Sequence, residues 1–264
     1  ASRWYPGAGI YRDVRLVTTD KAHFDADALR VETDDVLTGK AKVTVAGAVE
    51  SRLLADADAK VTAVLRGPDG QVVDDADAEI EIDGCGRGEF DLELKVRNPQ
   101  LWKLEDGAKL YALELRLKGD GFSDALVRRI GLREFRFDAE RGFFLNGERV
   151  QLNGVDLHSD LGPLGMAFDA DAARRQLAIM RDMGANAIRM SHNPPAPQVL
   201  DLCDEMGLFV WDEAFDKWNA TCGRGDIPLE DFVPRQLVKL VRRDRIHPSV
   251  FVWSIGNEIS PGKA

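Results

Sequence analysis

The sequence predicts a multidomain β plus α/β protein. An immunoglobulin-like β-sandwich is followed by the N-terminal half of a (β/α)8 TIM barrel. Three observations carry this. Between about Val17 and Phe137 apolar residues alternate with polar ones in short runs broken by turns, the pattern of an antiparallel sandwich. From about Asp138, strand-like apolar runs alternate with helical ones, the order that builds a parallel sheet. Four of those runs end in polar side chains, which is how a barrel equips its catalytic face.

The elements follow in order. Trp4 and Tyr5 lie in residues 1–16 and need burial that nothing before them supplies, so the chain is expected to begin inside a longer one. Residues 17–137 supply the strands: Val43 and Val45; Val61, Ala63 and Leu65; Ile80 and Ile82; Phe90, Leu92, Leu94 and Val96; Tyr111, Leu113, Leu115 and Leu117 each mark one face with period two. Gly67-Pro-Asp-Gly70 is a turn between two of them. Nothing in this part carries chemistry, and a packing or spacer role is preferred.

Gly142 to Arg149 reads as a small hairpin turning at Asn146-Gly147. In residues 138–264 strands are expected at Val150–Val155, Ala185–Met190, Leu208–Trp211 and Ser249–Ile255. Helices are expected at Asp169–Met183, Pro195–Met206 and about Leu229–Ile246. On this reading 138–264 holds the first four strands of a barrel and stops shortly after the fourth. The polar residues at the strand ends are Asp156 and His158; Ser191, His192 and Asn193; Asp212, Glu213 and Asp216; Asn257 and Glu258.

A net charge of −10 argues against nucleic acid or an anionic membrane as the main partner. No apolar run is long enough to span a bilayer as a helix. Cys85, Cys203 and Cys222 show no metal-ligand spacing, and an odd number far apart makes a disulfide framework a poor reading. Three functional classes remain open on the residues alone. One is glycoside hydrolysis with Glu258 as acid/base. Another is a metal site from His158, His192, Asp212 and Glu213, which lacks the tight spacing such sites favour. The third is a ligand-binding surface without chemistry. Trp211, Trp218 and Trp253 favour a carbohydrate, since flat rings stack on sugars, although any single Trp is more simply packing.

Arg243-Asp-Arg-Ile-His-Pro-Ser-Val-Phe-Val-Trp-Ser-Ile-Gly-Asn-Glu258 resembles the acid/base signature of family 2 glycoside hydrolases. Asn186-Ala-Ile-Arg-Met-Ser-His-Asn-Pro-Pro195 with Asp201-Leu-Cys-Asp-Glu-Met-Gly-Leu208 resembles that family's other signature. Asn98-Pro-Gln-Leu-Trp102, Gly142-Phe-Phe-Leu-Asn-Gly147 and Gly9-Ile-Tyr-Arg-Asp-Val14 are similar to the family in the same order. The resemblance implies that 1–16 is the C-terminal tail of a sugar-binding jelly-roll domain. It makes 17–137 the immunoglobulin-like domain and 138–264 the first half of the catalytic barrel. It further implies that Glu258 protonates the glycosidic oxygen and later activates water. Asn257 would bond the sugar 2-hydroxyl, Arg189 would orient the nucleophile carboxylate, and His158 and His192 would contact sugar hydroxyls. Asp212 would line the pocket wall or support it, with Trp218 beside the sugar. The run Asp212-Glu-Ala-Phe-Asp-Lys-Trp218 looks most like a bacterial β-galactosidase subgroup.

The implied activity is retaining hydrolysis of terminal β-D-galactosides, with β-glucuronidase or β-mannosidase activity on the same scaffold as alternatives. The expected substrate is a carbohydrate, and a homo-oligomeric parent is compatible with the family. Lys217 falls where the best-known members carry a metal-binding Glu, so neither metal nor cofactor is expected. The family's nucleophile, a second Glu on a later strand, is expected beyond this chain, which by itself would then be inactive.

Overall fold

A computed structural model describes residues 9–216, 227 and 229–258. Trp4, Tyr5, Lys217, Trp218 and Cys222 therefore lie outside the described residues. The chain divides into two compact units. One comprises Leu16–Lys103 and Lys109–Val150, the other Ala1–Arg15, Leu104–Ala108 and Gln151–Ala264.

The first unit is the sandwich. Its strands are β1 (Ala22–Phe24), β2 (Arg30–Asp34), β3 (Lys40–Ser51), β4 (Ala57–Arg66), β5 (Val72–Ile82), β6 (Arg87–Arg97), β7 (Tyr111–Gly119) and β8 (Phe122–Ile130). One sheet is built on β3, which pairs antiparallel with β6 and with both β1 and β2. The other runs β5-β4-β7-β8, also antiparallel. The alternation seen in the sequence is the reason: Val43, Val45, Leu92 and Leu94 from one sheet bury against Val61, Leu65, Leu113 and Leu115 from the other. The Gly67–Gly70 turn closes with Gly70 N donating to Gly67 O at 2.8 Å.

A third small sheet of β9 (Phe135–Asp138), β10 (Gly142–Leu145) and β11 (Glu148–Arg149) packs in this same unit. Its turn needs two left-handed residues, and Asn146 (φ 51°) and Gly147 (φ 80°) provide them. By packing, the hairpin at 142–149 thus goes with the sandwich rather than with the residues that follow it.

The second unit is the start of a (β/α)8 barrel. Strands β12 (Gly154–His158), β13 (Ala187–Ser191), β14 (Phe209–Glu213) and β15 (Val250–Ser254) form a parallel sheet in that order. Between them run α1 (Ala170–Asp182), α2 (Pro197–Met206) and α3 (Leu229–Asp244). Asp169 caps α1 by accepting from Ala172 N at 2.8 Å, and Gly207 ends α2 at φ 63°. Val155, Leu157, Ile188, Met190 and Val210 face the helices and pack with Leu177, Leu200 and Met206. Residues of opposite parity therefore face the other way.

All four expected barrel strands shift by a residue or more, two of them with consequences for the site. The strand expected at Val150–Val155 begins at Gly154 and runs on to His158, because Val150 N instead donates to Phe143 O, at 2.9 Å. The strand expected at Leu208–Trp211 extends to Glu213, so Asp212 and Glu213 sit on the sheet rather than in a loop. Residues 9–15 form no strand. Within the barrel unit Tyr11 O accepts from Phe168 N and Arg12 Nη2 donates to Pro194 O.

Candidate active site

Parity decides what meets at the carboxyl ends. With Val155, Leu157, Met190 and Val210 turned to the helices, the opposite face carries Asp156, His158, Arg189, Ser191, Trp211 and Glu213. Glu213 is the centre of this row and is 1% exposed. Arg189 Nε donates to its Oε2 at 3.0 Å, and Arg189 Nη2 reaches Oε1 at 2.9 Å and Oε2 at 2.8 Å. His192 Nδ1 lies 2.6 Å from Oε1, and Ser254 Oγ donates to Oε2 at 2.8 Å. A carboxylate this buried needs such a set of donors, since unpaired it would cost several kcal/mol.

From Arg189 the network continues outward. Nη2 also donates to Asn257 Oδ1 at 3.0 Å, and Asn257 Nδ2 donates to Asp216 Oδ1 at 3.2 Å. Asn257 N donates to Phe215 O at 2.8 Å, and Ala214 N to Ser254 O at 3.0 Å, so the backbone after β15 is tied to the backbone after β14. Glu258 follows Asn257 directly, exposed, in the left-handed region at φ 50°. A non-glycine residue pays for that conformation and holds it when its neighbours are fixed, as Asn257 is here. Arg189 Nη1 lies 3.5 Å from Asp156 Oδ2. The His158 ring stands edge-on to that of His192, with centroids 5.2 Å apart.

Of the residues singled out in the sequence, Arg189, His192 and Asn257 share one hydrogen-bonded network, with His158 packed against it and Glu258 at its edge. Trp218 lies outside the described residues. Asp212 does not join them. It is fully buried, and its parity turns it toward α3 and the Arg243-Asp244 pair instead. Arg243 Nε and Nη2 each donate to Asp244 at 2.6 Å. Neither Asp212 oxygen finds a donor among the described residues. Burial, then the charge and hydrogen bond of Asp244, push the Asp212 carboxyl up to about 9. Burial beside the Asp244 carboxylate thus favours the protonated form of Asp212. It lies between strand and helix, on the opposite face from that network, so of the two expectations for it, lining the pocket wall or supporting it, the first is corrected.

Glu213, in turn, was legible only as one of a polar group. The available signal was period two along Phe209, Trp211 and Glu213, once the strand is allowed to run two residues further. The proposed metal set of His158, His192, Asp212 and Glu213 does not come together, since Asp212 points away. Among the described residues the grouping of carboxylate and imidazole atoms suited to an ion is Asp201, Asp204 and His247, on α2 and the segment before β15. There Asp204 is occupied: its Oδ2 lies 2.6 Å from His247 Nδ1, and its Oδ1 accepts from Ser249 N at 3.0 Å.

The sequence profile described as "Glycosyl hydrolases family 2, TIM barrel domain" matches residues 139–264, and that described as "Glycosyl hydrolases family 2" matches residues 22–133. The "Beta-galactosidase BoGH2A" of Bacteroides ovatus is 39% identical over 261 residues, covering 98% of this chain and 31% of that protein. A "Beta-glucuronidase" of Bacteroides fragilis is 30% identical over 262 residues, covering 95% of this chain and 37% of that one. The crystal structure of a glycosyl hydrolase family 2 member from Bacteroides cellulosilyticus superposes with a TM-score of 0.88 at 34% identity, over 98% of this chain and 35% of that chain. The chain thus spans about a third of the length of these relatives.

Proposed function

The chain belongs to glycosyl hydrolase family 2, and from that premise we propose that the protein carrying it hydrolyses terminal β-D-galactosides with retention of configuration, Glu258 being the acid/base. The observation that carries this reading is the Glu213–Arg189–Asn257 chain, which anchors the turn bearing Glu258 to the ends of β13 and β14. Glu258 is exposed where Glu213 is buried, so it is the carboxyl of the two that can reach a glycosidic oxygen. It gives its proton to the leaving oxygen in the first step and takes one from water in the second. A second carboxylate about 5–5.5 Å away is required for retention. We assign that nucleophile to a later strand of the barrel and not to Glu213, whose two oxygens are engaged by Arg189, His192 and Ser254. Asn257 and His192 bind sugar hydroxyls, with His158 beside them. Galactoside is preferred on the 39% identity to a protein named β-galactosidase. The names of other relatives favour a second reading, a β-glucuronidase.

The test uses the intact protein. Nitrophenyl β-galactoside and β-glucuronide separate the two sugars. Glu258→Ala then separates the roles, since proton transfer by a placed side chain contributes ~10²–10⁴-fold. A lactose-like substrate, whose leaving group needs the proton, is expected to lose most of that factor. An activated aryl galactoside is expected to keep its first step and accumulate glycosyl-enzyme. Azide, which needs no base, is expected to restore turnover and yield the β-galactosyl azide. Equal losses for good and poor leaving groups, with no azide rescue, would remove Glu258 from the acid/base role.

A further inference from the structure

The glycosidase reading leaves Glu213 without a chemical step, although Arg189, His192 and Ser254 all converge on it. Its carboxylate gathers donors from beyond its own strand: Arg189 on β13, His192 just past β13, and Ser254 on β15. We propose, resting on that reading, that Glu213 is a positioning residue, one that sets the orientation of Arg189, the proton position on His192 and, through Arg189, the place of Asn257 beside Glu258.

Three geometric facts support this. The first is the Arg189 fork. A guanidinium paired by Nε and Nη2 to one carboxylate is fixed in plane and direction, which a single contact would not achieve. That fixed Nη2 is the group that also reaches Asn257 Oδ1 at 3.0 Å. The orientation of Arg189 is therefore passed to the residue next to Glu258.

The second is the imidazole. His192 Nδ1 lies 2.6 Å from a carboxylate oxygen that can only accept, so Nδ1 carries the proton in either charge state of the ring. The neutral ring is then the Nδ1–H tautomer, with its lone pair at Nε2, an acceptor for a hydroxyl. Without Glu213 nothing in this contact would select that tautomer.

The third is that an amide cannot substitute. Both Glu213 oxygens accept from Arg189. A glutamine must turn its NH₂ to one of those two places and set donor against donor there. If it takes the Oε1 place it also offers a proton to His192 Nδ1 and inverts the tautomer.

The experiment has two arms. The ¹⁵N spectrum of the imidazoles, recorded where the ring is neutral, reports which nitrogen holds the proton. His192 is assigned by the loss of its signals in His192→Gln. The wild-type protein is expected to show His192 as Nδ1–H, and Glu213→Gln to shift it toward Nε2–H. This arm requires no activity, and its wild-type half requires no Glu213 variant, so it decides even where Glu213→Gln fails to fold. In the other arm, Glu213→Gln in the intact protein is expected to lower kcat about 10²-fold per folded molecule, the scale of a misplacement of about 1 Å in a site. A wild-type His192 in the Nε2–H form, or a folded Glu213→Gln enzyme with kcat within about twofold of wild type, would overturn the proposal. A purely structural Glu213 would lower thermal stability and leave kcat per folded molecule unchanged. If the intact protein hydrolyses no glycoside while the imidazole arm comes out as expected, the positioning of His192 stands and the glycosidase reading falls.

Discussion

Replacing Asp212 by Asn should make the protein less sensitive to alkaline pH, and the size of the effect follows from the site. In the folded chain burial and Asp244 push the Asp212 carboxyl up to about 9, from an ordinary 3.8. Between those values the folded state holds a proton that the unfolded chain has released. Stability is then greatest at low pH and falls as pH rises through this window, the reverse of a salt-bridged carboxylate. One such group costs at most about 1.4 kcal/mol per pH unit, so the loss between about pH 5 and about pH 8 is at most about 4 kcal/mol, with sharing of the proton with Asp244 reducing it. Against a total of roughly 5–15 kcal/mol that is a large fraction. Asn donates an N–H to the Asp244 carboxylate without taking up a proton, and Arg243 continues to hold Asp244 from the other side. Urea unfolding followed by tryptophan fluorescence reads it directly, since Trp211 precedes Asp212 and Trp253 pairs with it across the sheet. Wild type and Asp212→Asn are expected to have similar stability near pH 5 and to diverge steadily above it, the variant being the more stable. Parallel stability curves over this range would refute a buried proton at Asp212.

Two other outcomes test the same barrel half. Asp204→Ala leaves the buried Ser249 N without an acceptor and His247 without its hydrogen-bonded carboxylate, and should cost about 2–4 kcal/mol. His247 itself is pulled down by burial but raised further by the hydrogen bond and charge of Asp204, the net shift being upward. Its contribution is therefore full below the ordinary histidine value and lost as pH rises through the folded one, a dependence that Asp204→Ala should weaken in the same urea titration, with only the charges of Asp244 and Asp201 left to oppose burial. Leu177→Ala, at a fully buried position in the core between sheet and helices, should cost about 2–5 kcal/mol by calorimetry, with the upper end expected if the surrounding side chains do not close the cavity.

Much of the architecture was legible because it rests on periodicity. Val61-Ala63-Leu65 and Leu113-Leu115-Leu117 alternate so regularly that their burial follows from the pattern alone, and the structure buries all six. The Asn146-Gly147 turn was legible because few residues other than those adopt two successive left-handed conformations. The candidate site was legible at Asn257, His192 and Arg189, where polar residues interrupt apolar strands or follow them at once. It was less so at β14. A strand predicted to stop at Trp211 leaves Asp212 and Glu213 in a loop, where either could face either way. The Asp204–His247 contact was not legible, since 43 residues separate its partners and nothing in either signature stretch pairs one with the other.

The Asp212-Glu213 pair shows how far one unit of parity reaches. Two adjacent carboxyl groups of nearly the same chemistry lie on one strand, both almost fully buried. Because successive side chains point to opposite faces, one enters the network at the strand ends and the other enters the helix layer. On the inner face Arg189 is available, and Glu213 pairs with it and organises the groups around it. On the outer face the cation acting on it, Arg243, is already engaged by Asp244, so Asp212 is left to neutralise itself with a proton. The two solutions predict opposite responses to the same isosteric change. An amide at 212 keeps the hydrogen bond and removes a protonation cost, so stability should rise with little effect on activity. An amide at 213 removes a charge that three donors depend on, so both the orientation of Arg189 and catalysis should suffer. Asp212→Asn and Glu213→Gln compared side by side, by unfolding and by kcat per folded molecule, therefore test the parity assignment itself. If the two variants behaved alike, or if Asp212→Asn were the one to lose activity, the inward and outward faces of β14 would have to be exchanged.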